Sequence, residues 1–437
     1  MRCALQRSIA GCVVIMLLLS GCASGFPQIE SMTTTTTAET TSVPPIVLTT
    51  SPAIVLPEKT APSAMIITRE MAQTFHDATL DVEESVLPPI RISLCSVGDI
   101  MSHDGTFASA RTNTGYDFTT MFAGVAAYTK DADYTIGNLE TTFAGAKRGY
   151  AGYPCFNTPE QMADGLSDVL GMDLVSTANN HSMDTGFAGL CSTLDFLDAA
   201  GIDHTGTYRT EEESQQIKIV DINGAKVAFL SYTYGSNSGI GSGWRLNLIN
   251  RTKIQEDAQA AYDAGADYIV ALLHWGVEYQ RTNSAQQRSL AEWIFANTEV
   301  QLIVGNHAHV VEPIEEITVE RNGQEKKGIV FYALGNFTGA QRDPYRDTGI
   351  IVNLTISIDR ADRAESVVEK IEYTPTFIDP NALATGKRYR VLAIEDAVAA
   401  YENGTDELIT KEEYDKLLGY LKAYEEQLET LDIVSRR

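Results

Sequence analysis

The sequence predicts a layered α/β body behind a polar N-terminal segment, and three observations carry that prediction. From Ile90 onward, short apolar runs of strand character alternate with stretches of helical period. Two Asn-Gly pairs, Asn223-Gly224 and Asn322-Gly323, each divide a strand-like stretch, which is the chemistry of a tight hairpin turn. The 437 residues, 44% apolar and 21% charged, suffice to bury a substantial core, which excludes wholesale disorder and a small disulfide-stapled scaffold. A formal charge of -25, from 58 acidic against 33 basic side chains, repels phosphate backbones, so nucleic acid is not an expected partner.

Residues 1–21 read as a lipoprotein signal peptide. Arg2 and Arg7 precede an apolar run from Ile9 to Leu19 that is too short to cross a hydrocarbon core, and the run closes in Leu19-Ser20-Gly21-Cys22. That ending resembles the lipobox of bacterial lipoproteins. It implies lipidation of Cys22 and an extracytoplasmic body anchored to the bacterial cell membrane; cleavage at another small residue, with free release, is the alternative. Residues 22–89 read as a Thr/Pro-rich linker, with five consecutive threonines from Thr33 to Thr37 and seven prolines between Pro44 and Pro89. A short helix over Met65–Val86 is the one element expected there. Of six cysteines, Cys95, Cys155 and Cys191 remain in the body; their odd number and the lack of CxxC spacing predict buried thiols.

Strands are expected at Arg91–Val97, Tyr134–Asn138, Leu174–Ala178, Ile202–Thr205, Tyr268–Leu273 and Gln301–Val304, each a short apolar run suited to a buried strand. Helices are expected at Phe187–Ala200, Thr252–Ala264 and Ala285–Asn297, hairpins over Ile217–Leu230 and Ile317–Phe331, and strands at Ile350–Ile358 and Glu365–Tyr373. Leu and Tyr recur at helical spacing from Glu412 to Leu428, so residues 381–437 are read as a largely helical C-terminal extension to a domain spanning 90–380.

The chemistry shows in where the histidines fall. Of seven, His76 lies in the linker, while His103, His181, His204, His274, His307 and His309 fall at or just beyond the ends of expected strands, where α/β sheets place ligands. Asp99 follows Gly98 at the end of the first strand, with His103 four residues on, and Glu140 ends the second. Asn180 offers a neutral oxygen ligand, and His181 with Asp184 nearby is poised for proton transfer. His274-Trp275-Gly276 and Gly305-Asn306-His307-Ala308-His309 each follow an apolar strand. Two histidines at i and i+2 share a face in extended chain, so the last pair is expected to present both rings to one centre. Gly335-Asn336-Phe337 reads as an element of backbone shape.

Taken in order, Gly-Asp, Asn-Leu-Glu, Ala-Asn-Asn-His with a following Asp-x-Gly, His-Trp-Gly-x-Glu-Tyr, Gly-x-His-x-His and Leu-Gly-Asn-Phe resemble the CapA family of poly-γ-glutamate capsule-biosynthesis proteins, itself similar to calcineurin-like metallophosphoesterases. The resemblance implies a four-layer α/β/β/α sandwich with a dinuclear metal site on one rim. It implies metal ligands at Asp99, Glu140, Asn180, His274, His307 and His309, with His181 as proton donor oriented by Asp184. Two departures stand out: Met101 occupies the place of a ligating histidine, for which His103 is the substitute, and the bridging acid Glu140 is one methylene longer than the usual aspartate. The donor set suits manganese, iron or zinc.

Three functions fit these residues. One is a lipid-anchored factor in poly-γ-glutamate or other envelope-polymer production, partnered by the polymer or its synthesis machinery. The second is a metal-dependent extracellular phosphoesterase or hydrolase, and the third a non-catalytic binding module; whether the chain is an enzyme stays open. Tyr150, Tyr153, Phe156, Trp244, Trp275 and Tyr279 are candidates to line a cleft. Lys147, Arg148, Arg245, Arg281, Arg342 and Arg346 are candidates for a basic patch on it.

Overall fold

The computed structural model describes residues 88–342 and 344–437. The expected signal peptide, Cys22, His76, the helix expected over Met65–Val86 and nearly all of the expected linker lie outside the described residues. The chain first builds four parallel strands, β1 (Ile90–Ile100), β2 (Tyr134–Leu139), β3 (Leu174–Ser176) and β4 (Asp203–Thr205), with α1 (Gln161–Leu170) and α2 (Gly186–Ala199) in the crossovers. It then leaves for a second sheet. The hairpin of β5 (Lys218–Ile222) and β6 (Ala225–Thr233) turns at Asn223 and Gly224, with φ of 54° and 93°, as an Asn-Gly turn requires.

After it come α3 (Arg251–Asp263), β7 (Tyr268–His274), α4 (Ala285–Asn297) and β8 (Leu302–Asn306), parallel to β6 and to each other in the strands. The hairpin of β9 (Ile314–Arg321) and β10 (Gln324–Phe331) closes this sheet in the order β5-β6-β7-β8-β10-β9. Returning, the chain adds β11 (Asn336–Thr338), β12 (Thr348–Ile358), β13 (Val367–Asp379) and β14 (Arg390–Ala393) to the first sheet, then α5 (Ile394–Glu402), α6 (Lys411–Leu428) and β15 (Val434–Arg436). The first sheet runs β14-β13-β12-β1-β2-β3-β4, with β11 beside β1 and β15 beside β13.

Period-two patterning explains the layers. Val227, Phe229, Val270 and Leu272 face Ile92, Leu94, Ile136 and Leu174 across the space between the sheets. Their neighbours Ala228, Leu230, Ile269 and Ala271 point the other way, onto Ile254, Ala258, Ile294 and Phe295 of α3 and α4. On the far face of the first sheet, Val97 and Val175 pack with Leu166 and Leu170 of α1 and with Leu190 and Leu194 of α2. The result is the expected helix/sheet/sheet/helix sandwich.

The expected strands and helices are present, with ends displaced by a few residues; α4 has the expected limits, set by the Ser284/Gln287 capping box. Helix α6 starts at a second capping box, Thr410 with Glu413, and buries Leu417, Tyr424 and Leu428 in the intersheet core. From the C-terminal stretch β14 and β15 also join the sheet through β13. The expectation of three buried thiols is corrected: Cys95 is enclosed in β1, but Cys191 is half-buried and Cys155 is exposed in the loop after Pro154, and no disulfide joins them. Among the described residues no helix is long and apolar enough to cross a membrane.

Candidate metal centre

The parallel strands β1, β2, β3, β7 and β8 end on one rim, and six side chains converge there. Asp99 lies near the end of β1, Glu140 just past β2, Asn180 in the loop after β3, His274 at the last position of β7, and His307 and His309 in the loop after β8. All six are buried. Asp99 Oδ2 is 3.2 Å from His309 Nδ1, Glu140 Oε1 is 3.5 Å from His274 Nε2 and 3.8 Å from His309 Nε2, and Asn180 Oδ1 is 2.8 Å from His274 Nε2. Two groups of possible ligand atoms result, Asp99 with Glu140 and His274, and Glu140 with His307 and His309; within each, all atoms lie within 4.8 Å of one another. Glu140 belongs to both.

Two glycines allow this approach. A Cβ on Gly98 would stand 2.0 Å from the Gly335 carbonyl oxygen, and one on Gly305 equally close to that of Tyr332. The histidine pair reaches the centre by a different route from the one expected: β8 stops at Asn306, and His307 and His309 both take positive φ, 101° and 57°. Such backbone is costly for non-glycine residues and concentrates at functional sites. The rings end with centroids 6.0 Å apart.

Burial sets the electrostatics. It pushes the His274 imidazole well below its ordinary value and that of His307 down to about 4, with neighbouring histidines adding to both shifts. Neutral imidazole is the ligating form. Burial, and next the charge of Asp99, push the Glu140 carboxyl well up. Neither oxygen of Glu140 has a hydrogen-bond partner, and neither does His307 Nδ1. Buried polar atoms are ordinarily satisfied, and a fully enclosed carboxylate with both oxygens orphaned beside imidazoles is the donor set a divalent cation completes.

Around this centre, His181 Nδ1 lies 2.7 Å from Asp184 Oδ2, which also accepts the Phe156 N–H at 2.7 Å. Its Nε2 faces Asn237 Nδ2 at 3.4 Å. His103 stands apart from the two ligand groups: its Nδ1 accepts the Ala340 N–H at 3.2 Å, its ring meets Phe156 edge-on, and burial takes it down to about 4. It lines, with Asn180, His181, Asp184 and His309, an adjoining cavity of about 390 Å³. His204 lies within β4, 3.1 Å from Asp198.

Four residues with no assigned role from sequence belong here. Asn138 Nδ2 donates to Asp99 Oδ1 at 2.7 Å and lies 3.2 Å from His274 Nδ1. Asn336 Oδ1 is 3.0 Å from His309 Nδ1 while its Nδ2 donates to the Arg346 carbonyl, so the Gly335-Asn336-Phe337 segment orients a ligand as well as shaping backbone. Glu278 and Asn237 line the cavity. Asn138, Glu278 and Asn336 sit inside the motifs already quoted, which was the available signal; Asn237 lies in a Gly/Ser-rich loop with none. Of the cleft candidates, Tyr153, Phe156 and Tyr279 line the cavity; Trp275 is core against Tyr332, Trp244 packs on Phe187, and Tyr150 bonds Glu160. None of the six basic candidates lines it.

The profile of the family described as "Bacterial capsule synthesis protein PGA_cap" matches residues 93–341. The chain is similar to "Capsule biosynthesis protein CapA" of Bacillus anthracis, 28% identical over 259 residues that cover 56% of this chain and 59% of that protein. It is likewise similar to "PGA biosynthesis protein CapA" of Bacillus subtilis, 29% identical over 252 residues covering 56% and 63%. The matched part thus spans about six-tenths of each relative's length. Among solved structures, Haemophilus influenzae NAD nucleotidase overlaps with a TM-score of 0.42 at 12% identity over 80% of this chain and 58% of that one. The calcineurin-like phosphoesterase YfkN from Bacillus subtilis overlaps at 0.37 and 12%, over 77% and 100%.

Proposed function

Since the chain belongs to the bacterial capsule synthesis protein family PGA_cap, we propose that it is a membrane-anchored, extracytoplasmic factor in the biosynthesis of poly-γ-glutamate or another envelope polymer, working through a dinuclear metal centre that supports hydrolytic, phosphoester-type chemistry. The observation that carries the metal reading is Glu140, shared by both ligand groups with neither oxygen hydrogen-bonded. Asp99, Glu140, Asn180, His274, His307 and His309 would hold two divalent ions of the manganese, iron or zinc class. Bound there, the ions supply Lewis-acid polarisation of the bond that breaks and offset the charge that develops on it.

The chain's own residues do the rest. Asp184 fixes the His181 ring through Nδ1 and leaves Nε2 toward the cavity, where it gives a proton to the departing oxygen. Asn138 and Asn336 hold Asp99 and His309 in register, so the ligands are positioned before an ion arrives. Acylation of Cys22 would anchor the folded body on the extracytoplasmic side of the bacterial cell membrane.

The test is elemental analysis of the purified chain followed by a phosphodiester hydrolysis assay with added manganese. Two ions and turnover support the proposal; bound ions without turnover leave a non-catalytic polymer-binding role, and no ions overturn the metal reading. Release of the Cys22→Ser protein into the medium checks the anchor.

A further inference from the structure

The cavity beside the metal centre has a composition that narrows its ligand. Among the described residues no lysine or arginine lines it. Its carboxylates are Asp184, committed to His181 and the Phe156 N–H, and Glu278, which is exposed at the mouth. Of the guanidiniums nearest in sequence to lining residue Gln341, Arg342 donates to the Ile378 carbonyl at 2.8 Å, and Arg346 lies against the lining from outside, 5.1 Å from the centroid of the Tyr279 ring. The chain as a whole carries -25, so an anionic segment entering here meets repulsion beyond the reach of any bound ion.

The same mouth concentrates exposed aromatic surface. Of its lining residues Tyr153 is 72% exposed and Tyr279 46%; outside the lining, Tyr234 packs on the His307 ring at 4.5 Å. Among the described residues the one ring contact of Tyr153 is T-shaped, to Phe156 at 6.4 Å between centroids, and most of its side chain is left to solvent. Asn237 and Gln341 add amide donors and acceptors. One largely exposed aromatic ring with neutral amides and one exposed carboxylate, and no lysine or arginine in the lining itself, suits a ligand with apolar ring faces and a hydroxyl edge.

We propose that this mouth is a subsite for a neutral, hydroxyl-rich ring, a sugar residue, with Tyr153 as its stacking face and Glu278, Asn237 and Gln341 as partners for its hydroxyls. This deepens the polymer reading above and rests on it for the chemistry next door, while naming a glycan and not a polycarboxylate as what the cavity holds.

The experiment is calorimetric titration of the full chain with maltotetraose, an N-acetylglucosamine tetramer and a γ-linked glutamate hexamer. At least one neutral oligosaccharide is expected to bind with an affinity that does not change between about 50 and 500 mM salt. Tyr153→Ala should weaken it about tenfold, Tyr153→Phe by less than about threefold, and Glu278→Gln by about fivefold. Tyr153 and Glu278 are exposed, so these variants keep the fold. Preferential, salt-sensitive binding of the glutamate hexamer would overturn the assignment, as would the failure of both sugars to bind well-folded protein. Titrations run with and without manganese separate the two readings: sugar binding through Tyr153 in a chain that takes up no ions removes the metal reading and keeps this one.

Discussion

Buried carboxylates are treated in opposite ways at the two ends of the first sheet. In the antiparallel half, Asp379 is fully enclosed but receives Arg390 Nε at 2.6 Å, and Arg390 also meets Asp406 at 2.6 Å; Asp347, equally enclosed, faces Lys416 Nζ at 2.9 Å. On the parallel-strand rim, Asp99 and Glu140 are just as enclosed, yet their neighbours are imidazoles, two of which burial drives toward the neutral form. The first arrangement has its compensating positive charge within the chain. The second lacks a permanent positive charge, and burying two carboxylates without one is expensive enough to call for a cation from outside.

The sharpest way to break this comparison is kinetic. His181→Ala should lower turnover by about 10²–10⁴-fold while metal content stays at the wild-type level, because the ring acts beside the ligands and not as one of them. Loss of metal together with activity would instead make His181 a ligand. Next in size, Arg390→Ala strands Asp379 and should cost about 3 kcal/mol of unfolding free energy, reduced by the part of the guanidinium that reaches water, with no change in metal uptake. Denaturant unfolding and elemental analysis on the same sample check both halves.

A smaller effect concerns Glu312, three residues past His309. It is buried, takes one hydrogen bond from Gln287 Nε2 at 2.7 Å and has Oε1 unpartnered; burial raises its carboxyl to about 7. A carboxyl whose folded value exceeds its unfolded one binds more protons when folded. Its contribution is therefore fully present below about pH 4.5 and lost as pH rises through about 7, amounting to at most about 3 kcal/mol. Wild-type stability should fall over that window relative to Glu312→Gln, and parallel pH profiles for the two proteins would contradict it.

How far the sequence reveals this molecule follows from the range of the interactions involved. Strands such as β1 and β7, and the Asn-Gly hairpins, are local: apolar runs and φ-positive dipeptides write them directly into the chain. Helix α1 was hidden because Gly165 interrupts its pattern, and that glycine is there for packing, since a Cβ would stand 3.0 Å from Phe118 Cβ. Strands β14 and β15 are too short, at four and three residues, to show a period. The ligands could be read because they fall at strand ends. The roles of Asn138, Asn237 and Asn336 could not, because each depends on a partner from another element, as Asn138 does on His274, 136 positions away.

The missing charge at Glu140 is tested most directly by titrating metal-stripped protein with manganese or zinc. Two ions per wild-type chain are expected, with a melting temperature that rises with added metal by an amount equivalent to about 4 kcal/mol for each site at a thousandfold excess over its Kd. Glu140→Gln should lose that response and be more stable than wild type without metal, since the uncompensated carboxylate is gone. Wild-type protein that binds no ion, or a Glu140→Gln variant that binds as many as wild type, would contradict a metal-completed Glu140.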